Sequence, residues 1–583
     1  MYDLAITSGT VVDALGGEPF TADVAVSNGR IALVGKLDGP ARRTIDASGA
    51  IVTPGFVDLH THYDGQVSWD AELSPSSIHG VTTAIMGNCG VGFAPVREAD
   101  RQTLIRLMEG VEDIPGSALS EGIDWRWESF PEYMAALDAR PHSIDFALHV
   151  PHDALRVYVM GERGVNGEAA TEADIVQMRA LLREAMEQGA VGFSTGRTDN
   201  HRSADGKATP AAEATIAELT GIAKALNGLP YGVLQAVSDF DIDAGPARFE
   251  PEFEVVLAMA KAAPGHRTSM SLLQRDAASD QWERILKGCE KANSEGIPMR
   301  VQVAARAIGV LLGLEATFHP FVGFPSYKRI SHLPLEERVR ILSNPEVKKQ
   351  LLTEKSEPLA GDGSAVPPLA DKLLANLDFV AMRLFRIGKT PNYEPNVKDS
   401  LYGEALSTGR PVLDVVYDAM LADAGKELLY FPLFNYTGRN LDTVEQMLKH
   451  PLALAGLSDG GAHVGTVCDA SFPTFMLMHW ARDTKKIPLQ KVVSMLCRET
   501  AEHAGMTDRG TITVGRRADL NVIDLKNLSL SRPGLHHDLP GGGRRLIQQA
   551  NGYIATIVAG ETIRDANGLT SARPGHLVRL GRS

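Results

Sequence analysis

The middle of the chain alternates short apolar runs with longer segments whose apolar residues recur every three or four positions. Apolar runs include "GVTTAIMG", "SIDFALHV" and "VGFSTG", and helical patterns include "TEADIVQMRALLREAMEQGA" and "AAEATIAELTGIAKALNG". Strands that are apolar on both faces indicate a parallel sheet covered by helices. About eight such units predict an α/β fold, a (β/α)8 TIM-type barrel over residues 56–505.

The two ends of the chain show a different pattern. Residues 1–55 contain short alternating segments such as "YDLAITSGTVVD", and the texture returns in residues 506–583, in "GTITVGRRADLNVIDL". Because sheet edges need partners and chain ends often meet, we predict one small β-sandwich built from both termini.

One stretch breaks the β/α rhythm, at about residues 320–410. It contains "FHPFVGFPSYKRI", "SEPLAGDGSAVPP" and "PNYEPNVKD". We interpret it as an insertion over the barrel mouth, a lid or a dimer contact, and the alternative is an irregular loop without a role.

Composition narrows the range of functions. The 583 residues carry a formal charge of −14 and no dense basic run, which argues against nucleic-acid binding. The N-terminus does not have the pattern of a secretory signal and no window is long enough for a membrane span, so we expect a cytoplasmic protein without membrane attachment, for which a homo-oligomer is one option. The four scattered cysteines, Cys89, Cys289, Cys468 and Cys497, do not suggest a disulfide framework.

The first candidate for chemistry is "VTPGFVDLHTHYDGQ", where His60 and His62 end a short strand. Residues two apart on a strand share a face, so both imidazoles can reach one metal ion. The alternative is a pair of hydrogen-bonded structural histidines, because His-x-His alone is a weak signal.

Three other segments fall where barrel strands should end, which is where barrel active sites form. Cys89 lies in "GNCGVG" and is either a thiolate ligand or a small buried residue. Asp459 lies in "GLSDGGAHVG" and is either a metal or proton-transfer group or an ordinary turn residue. The segment "HVPHDALR" offers His149, His152 and Arg156, for which a structural role is an equal alternative.

The motifs "VTPGFVDLHTH", "GVTTAIMGNCGVGFAP", "GLSDGGAH" and "GRRADLNVIDL" together resemble the amidohydrolase superfamily and, within it, the N-acyl-D-amino-acid deacylases. The resemblance runs through most of the chain and implies the same barrel beside a small β-sandwich. It also implies that His60, His62 and Cys89 bind zinc, and that Asp459 is both next to the metal and the catalytic general base.

The chain departs from the deacylase pattern at two strands. Where these enzymes carry histidine ligands at the ends of the fifth and sixth strands, the chain offers Leu234 and Gln235, and then Leu272 and Leu273. Leucine cannot bind zinc and an amide oxygen is a weak ligand, so we favour one zinc ion over two. Other histidines that could replace the lost imidazoles are His201, His266, His319 and His463.

The expected substrate is a small amide that bears a carboxylate, and Arg and Lys side chains are its natural partners. Arg275, with Gln274 before it, follows the sixth strand, and Arg197, Arg202, Tyr327 and Lys328 lie in loops, where a solvated role is the alternative for each. Our predicted substrate-binding residues are His152, Arg197, Gln235, Arg275, Tyr327, Lys328 and His463.

The predicted function is zinc-dependent hydrolysis of a C–N amide bond other than a peptide bond, with an N-acyl-D-amino acid or a related N-acyl compound as the leading substrate. The alternatives are a cyclic-amide or lactone hydrolase, a non-hydrolytic enzyme on the same barrel, and a catalytically silent scaffold.

Overall fold

Eight parallel strands form the centre of the molecule in the computed structural model, which describes residues 1–359 and 368–581. Each strand pairs with the next one along the chain. The strands are Phe56–Asp58, Val81–Met86, Asp145–Pro151, Gly192–Arg197, Val233–Ser238, Arg267–Leu272, Met299–Val303 and Ala453–Ala455. A bridge between Thr61 and Gly460 and a 3.1 Å hydrogen bond from the Asp459 N–H to the His60 carbonyl join the first strand region to the last. The predicted (β/α)8 barrel is confirmed.

Helices connect the barrel strands, and side-chain caps mark where some of them begin. Thr171 and Asp174 form a capping box at the start of helix Glu172–Glu187, in which each side chain accepts a hydrogen bond from the other residue's backbone N–H. The helix buries one apolar face, formed by Met178, Leu182, Ala185 and Met186. The other α-helices between or after barrel strands are Arg101–Glu112, Gly116–Gly122, Phe130–Asp138, His152–Met160, Glu162–Val165, Ile216–Ala223, Phe249–Ala262, Gln281–Ser294, Asp442–Lys449, Phe472–Phe475, Leu489–Leu496 and Arg498–His503, apart from those of the insertion described below.

Both ends of the chain contribute to one nine-stranded sheet. Ile51–Pro54 from the N-terminal part pairs antiparallel with Leu520–Ile523 from the C-terminal part. The other seven strands are Tyr2–Val11, Phe20–Ser27, Arg30–Gly35, Ala41–Asp46, Tyr553–Val558, Glu561–Asp565 and Gly568–Leu569. The prediction that the termini fold together is confirmed, whereas the domain boundaries after residues 55 and 505 stay predictions.

The chain between the seventh and eighth barrel strands folds around a hydrophobic core of its own. It contains a three-stranded sheet of Ile308–Leu312, Phe385–Arg386 and Leu429–Phe434. Its helices are Pro325–Lys328, Leu335–Leu342, Pro345–Leu351, Pro368–Leu374, Leu377–Ala381, Leu401–Thr408 and Val412–Leu421. The insertion is therefore larger than residues 320–410 and is not an irregular loop in its described part. Residues 360–367, within "SEPLAGDGSAVPP", lie outside the described residues.

The C-terminal tail passes along the end of the barrel where the strands begin. The Val578 N–H donates to the Phe146 carbonyl at 2.7 Å, and the Leu580 N–H donates to the Gly189 carbonyl at 3.0 Å. Leu580 is 7% exposed and packs in a cluster with apolar residues of several barrel strands. Among the helices of the described ranges, none has both the length and the apolar composition needed to cross a membrane.

Candidate metal centre and active site

Four predicted residues meet at the end of the barrel where its strands finish. His60 and His62 follow the first strand, Cys89 lies in the turn after the second, and Asp459 follows the eighth. The donor atoms of His60, His62 and Cys89 all lie within 4.8 Å of one another, and all three residues are buried. The barrel thus brings together residues from both halves of the chain.

The distances in this cluster fit a single tetrahedral ion. His60 Nε2 lies 3.3 Å from Cys89 Sγ and 3.4 Å from Asp459 Oδ1. His62 Nε2 lies 3.8 Å from each of the same two atoms. Zinc bonds of about 2.0–2.3 Å place neighbouring ligand atoms roughly 3.3–3.6 Å apart in a tetrahedron. The four contacts match this spacing to within about 0.5 Å, so His60, His62 and Cys89 fit zinc, with Asp459 next to the two imidazoles.

Burial sets the protonation of the nitrogen and sulfur donors. It lowers the pKa of His60 to about 4 and the pKa of His62 well below the usual range of histidine. Both imidazoles are therefore neutral near pH 7, as metal ligation requires. Burial, followed by the charges of Glu112 and Asp459, raises the pKa of the Cys89 thiol well above its usual range. A cation at this point would stabilise the thiolate that the protein alone disfavours.

Asp459 is held in an uncommon backbone conformation. Its φ of 48° lies in the left-handed region, and so does the φ of 55° at Cys89. Such residues cost free energy and cluster at functional sites, and Asp tolerates this region better than most side chains do. Burial raises the pKa of Asp459, and the charge of His463 opposes this effect. The Asp459 side chain is 15% exposed, which makes it the most exposed of the side chains that contact His60 and His62.

Two glutamines orient the cluster from the fifth and seventh strands. Gln302 Oε1 lies 2.8 Å from His60 Nδ1, and its amide nitrogen donates to Ser269 Oγ at 3.1 Å. The Cys89 N–H donates to Gln235 Oε1 at 3.3 Å. These contacts point His60 Nε2 at the cluster and fix the turn that carries Cys89.

Sequence reasoning missed Gln302 and Glu112. Gln302 is a polar residue inside the strand Met299–Val303, and it faces the barrel interior. The sequence around it does not show that it contacts His60. Glu112 ends the helix Arg101–Glu112 on its buried face, four residues after the buried Met108. The sequence signal for Glu112 was a carboxylate on an otherwise apolar helix face.

Glu112 connects two histidines of the site. Its Oε1 lies 3.1 Å from His62 Nδ1, and its Oε2 lies 3.7 Å from His463 Nε2. Burial, followed by the charges of Asp459 and Asp64, raises the pKa of Glu112 well above its usual range. His463 therefore lies at the site, as its position four residues after Asp459 suggested.

The other candidate histidines divide into two groups. Burial lowers the pKa of His149 to about 3 and the pKa of His201 to about 4, and the nearby imidazole of His60 contributes to both shifts. His266 is buried beside the carbonyls of residues 226 and 232, and His319 lies in the insertion, where its Nδ1 accepts from the Phe321 N–H. Leu234, Leu272 and Leu273 are buried hydrophobic residues.

Most predicted substrate-binding residues have partners elsewhere. His152 is fully buried between Thr195 and Glu218, Arg197 pairs with Glu252, Tyr327 accepts from Arg338, and Lys328 pairs with Glu357. Gln235 lies at the cluster through its contact with Cys89. Arg275 is 7% exposed and donates to Gln281 Oε1 and the Ser238 carbonyl, with no ion-pair partner among the described residues.

Comparisons with known proteins place the chain in a family. The sequence model Amidohydro_3, of the amidohydrolase family, matches residues 43–356 and 420–564. The chain is similar to the D-aminoacylase of Alcaligenes xylosoxydans xylosoxydans, at 28% identity over 533 residues that cover 90% of this chain and 88% of that protein.

Two solved structures share the fold. A D-aminoacylase described as defining a novel subset of amidohydrolases aligns with a TM-score of 0.65 at 22% identity, covering 99% of this chain and 100% of that one. The N-acyl-D-glutamate deacylase from Bordetella bronchiseptica, complexed with zinc and a phosphonate inhibitor, aligns with a TM-score of 0.63 at 24% identity, covering 99% of each chain. Since the family match spans well over half of its 583 residues, the chain belongs to the amidohydrolase family.

Proposed function

We propose that the protein is a zinc-dependent hydrolase of small-molecule amides and that its substrates are N-acyl amino acids, N-acyl-D-amino acids first among them. The observation that carries the proposal is the cluster of His60, His62 and Cys89 with Asp459 in contact with both imidazoles. The substrate class is supported by similarity to the Alcaligenes D-aminoacylase over nine-tenths of the chain.

The donor set favours one ion. His60, His62 and Cys89 would hold zinc through two nitrogens and one sulfur, with Asp459 next to it. On the fifth strand, the side-chain oxygen of Gln235 already accepts a hydrogen bond from the Cys89 N–H. On the sixth strand, Leu272 offers no ligand atom. The side chains that would build a second site therefore serve the first one or pack in the core.

A bound zinc ion supplies Lewis acidity, which activates water and polarises a carbonyl oxygen. Asp459 accepts a proton from the attacking water at its carboxylate and then delivers it to the nitrogen of the departing amine. Its raised pKa makes the carboxylate a better acceptor for the water proton. His60 and His62 remain neutral and keep their Nε2 lone pairs directed at the centre, because Gln302 and Glu112 lie against their Nδ1 atoms.

Arg275 is our candidate for binding the substrate carboxylate. It follows the sixth barrel strand, and its guanidinium is buried without an ion pair within 4.0 Å in the described part of the chain, with Asp239 as a more distant carboxylate whose charge acts on it. A buried cation without a partner is costly, and a substrate anion would relieve that cost. Arg197 and Lys328 are less suited, because carboxylates already neutralise them.

The test combines metal analysis with a substrate panel. Protein expressed with added zinc should carry about one zinc per chain and should release free amine from N-acetyl-D-amino acids faster than from their L-enantiomers. Cyclic amides and lactones form the comparison panel. Zinc binding without amine release from any N-acyl amino acid would overturn the substrate class, and absence of zinc would overturn the proposal itself.

A further inference from the structure

We infer that Glu112 is a positioning residue that holds the metal ligand His62 in its binding tautomer and couples it to the loop that carries Asp459. The inference rests on the proposed function, because it takes His62 to be a metal ligand. Glu112 itself does not touch the reacting atoms.

The two ring nitrogens of His62 face different partners. Its Nε2 faces Cys89 and Asp459, which leaves Nδ1 on the opposite side of the ring, 3.1 Å from Glu112 Oε1. The contact is short but not aligned as a hydrogen bond, and no other described group bonds to His62 Nδ1 or to either Glu112 oxygen. With zinc on Nε2, the proton of the neutral ring lies on Nδ1, and Glu112 Oε1 is the acceptor atom next to it.

Glu112 is unfavourable for the helix that carries it. A carboxylate in the last turn of a helix opposes the helix dipole, and Glu112 ends Arg101–Glu112. Its side chain is 1% exposed, and no Lys or Arg pairs with it among the described residues. Burying a carboxylate without a cation is costly. Its side-chain ion-pair contacts in this part of the chain are the imidazoles of His62 and His463.

The end of the Glu112 helix is also connected to the loop that carries Asp459. The His463 N–H donates to the Glu112 backbone carbonyl at 2.5 Å, and His463 Nε2 lies 3.7 Å from Glu112 Oε2. The next residue, Asp113, accepts a 2.9 Å hydrogen bond from Thr317 Oγ1. Thr317 in turn donates its backbone N–H to the Gly465 carbonyl at 3.1 Å. The helix end thus contacts the loop after the eighth strand directly through Glu112, and indirectly from Asp113 through Thr317.

The two histidines are supported differently, which makes the role of Glu112 specific. His60 is held by the neutral amide of Gln302 at 2.8 Å, whereas His62 is held by a carboxylate. A carboxylate beside the second nitrogen of a metal-bound histidine raises the basicity of the ligand, and loss of such a partner typically lowers metal affinity about 10- to 100-fold.

The experiment compares zinc affinity, measured by chelator competition, in the full-length wild type, Glu112→Gln, Glu112→Ala and Glu218→Gln. Glu218 is the matched control, because it lies 3.0 Å from His152 Nε2 and is fully buried. We expect about 10-fold weaker zinc binding for Glu112→Gln, about 10- to 100-fold weaker binding for Glu112→Ala, and wild-type affinity for Glu218→Gln.

Cobalt substitution gives a second readout, since the visible spectrum of bound Co²⁺ should shift in Glu112→Gln and not in Glu218→Gln. If Glu112→Ala does not fold, Glu112→Gln decides. Affinity and cobalt spectrum of Glu112→Gln equal to wild type would overturn the inference and leave the proposed function standing, as would an equal loss of affinity in Glu218→Gln. Failure of the wild type to bind zinc would overturn both.

Discussion

Replacing Asp459 by asparagine should abolish turnover while leaving the fold intact. The change removes the proton-accepting oxygen that lies 3.4 Å from His60 Nε2 and 3.8 Å from His62 Nε2, and it keeps the shape of the side chain. Because asparagine tolerates the left-handed backbone region, the φ of 48° at this position does not oppose the substitution.

The magnitude follows from two separate effects. Loss of acid–base transfer should lower kcat by about 10²- to 10⁴-fold, which corresponds to about 3 to 5 kcal/mol in the activation barrier. Alanine at the same position would lose the same transfer and would also meet a left-handed conformation that costs it about 1–2 kcal/mol of unfolding free energy. The Asn and Ala variants should therefore match in activity and differ in stability.

The assay is amine release from an N-acyl-D-amino acid at saturating zinc, with bound zinc measured in each sample, beside urea denaturation. Asp423 provides the backbone control, since it has a φ of 53° and an exposed side chain that pairs with Arg532. Asp423→Ala should lose about 1–2 kcal/mol of stability and no activity. An Asp459→Asn variant that binds zinc and turns over at more than a tenth of the wild-type rate would refute the role of Asp459.

Three other variants test separate parts of the account. Cys89→Ser should weaken zinc binding and remove the near-ultraviolet thiolate-to-metal band of the cobalt form, and a retained band would contradict a Cys89 ligand. Leu580→Ala should lower the unfolding free energy by about 2–4 kcal/mol, because the side chain is 7% exposed in an apolar cluster at the end of the barrel, and a change below about 1 kcal/mol would contradict that packing. Burial lowers the pKa of His319 to about 3. Below pH 6.5 this histidine is protonated in the unfolded chain but not in the folded chain, so the free energy of unfolding falls as the pH falls. Urea denaturation of wild type and His319→Gln at pH 7 and pH 5 should show the wild type losing about 2 kcal/mol more than the variant, and an equal loss would contradict a buried neutral histidine.

The barrel could be predicted because its strands are apolar on both faces and its helices carry their own start signals. Val81–Met86 is buried at every position, and Thr171 with Asp174 marks a helix start in the sequence itself. The insertion could not be delimited in the same way. Its helices are short, several begin at proline, and its three strands pair across long stretches of chain, so local patterns do not show that they share a core.

The candidate site was predictable where a motif fixes the spacing and not where contacts join distant elements. His60 and His62 share a strand end, and Cys89 and Asp459 follow strands, so barrel geometry alone brings them together. Gln302 reaches His60 across 242 positions of sequence, which no local pattern records.

The same limit applied to the predicted anion-binding residues. Positive charge identified Arg197 and Lys328, but the carboxylates that neutralise them lie 55 and 29 positions away in the sequence. Charge can be read directly from the sequence, whereas its neutralisation by a partner depends on the tertiary fold.

Zinc analysis with X-ray absorption spectroscopy of the metal-replete protein would show whether His60, His62 and Cys89 hold the ion. We expect about one zinc per chain, with nitrogen and oxygen neighbours at about 2.0–2.2 Å and one sulfur neighbour, Cys89 Sγ, at about 2.3 Å. Protein that binds no zinc under these conditions, or a zinc ion without a sulfur neighbour, would contradict this expectation.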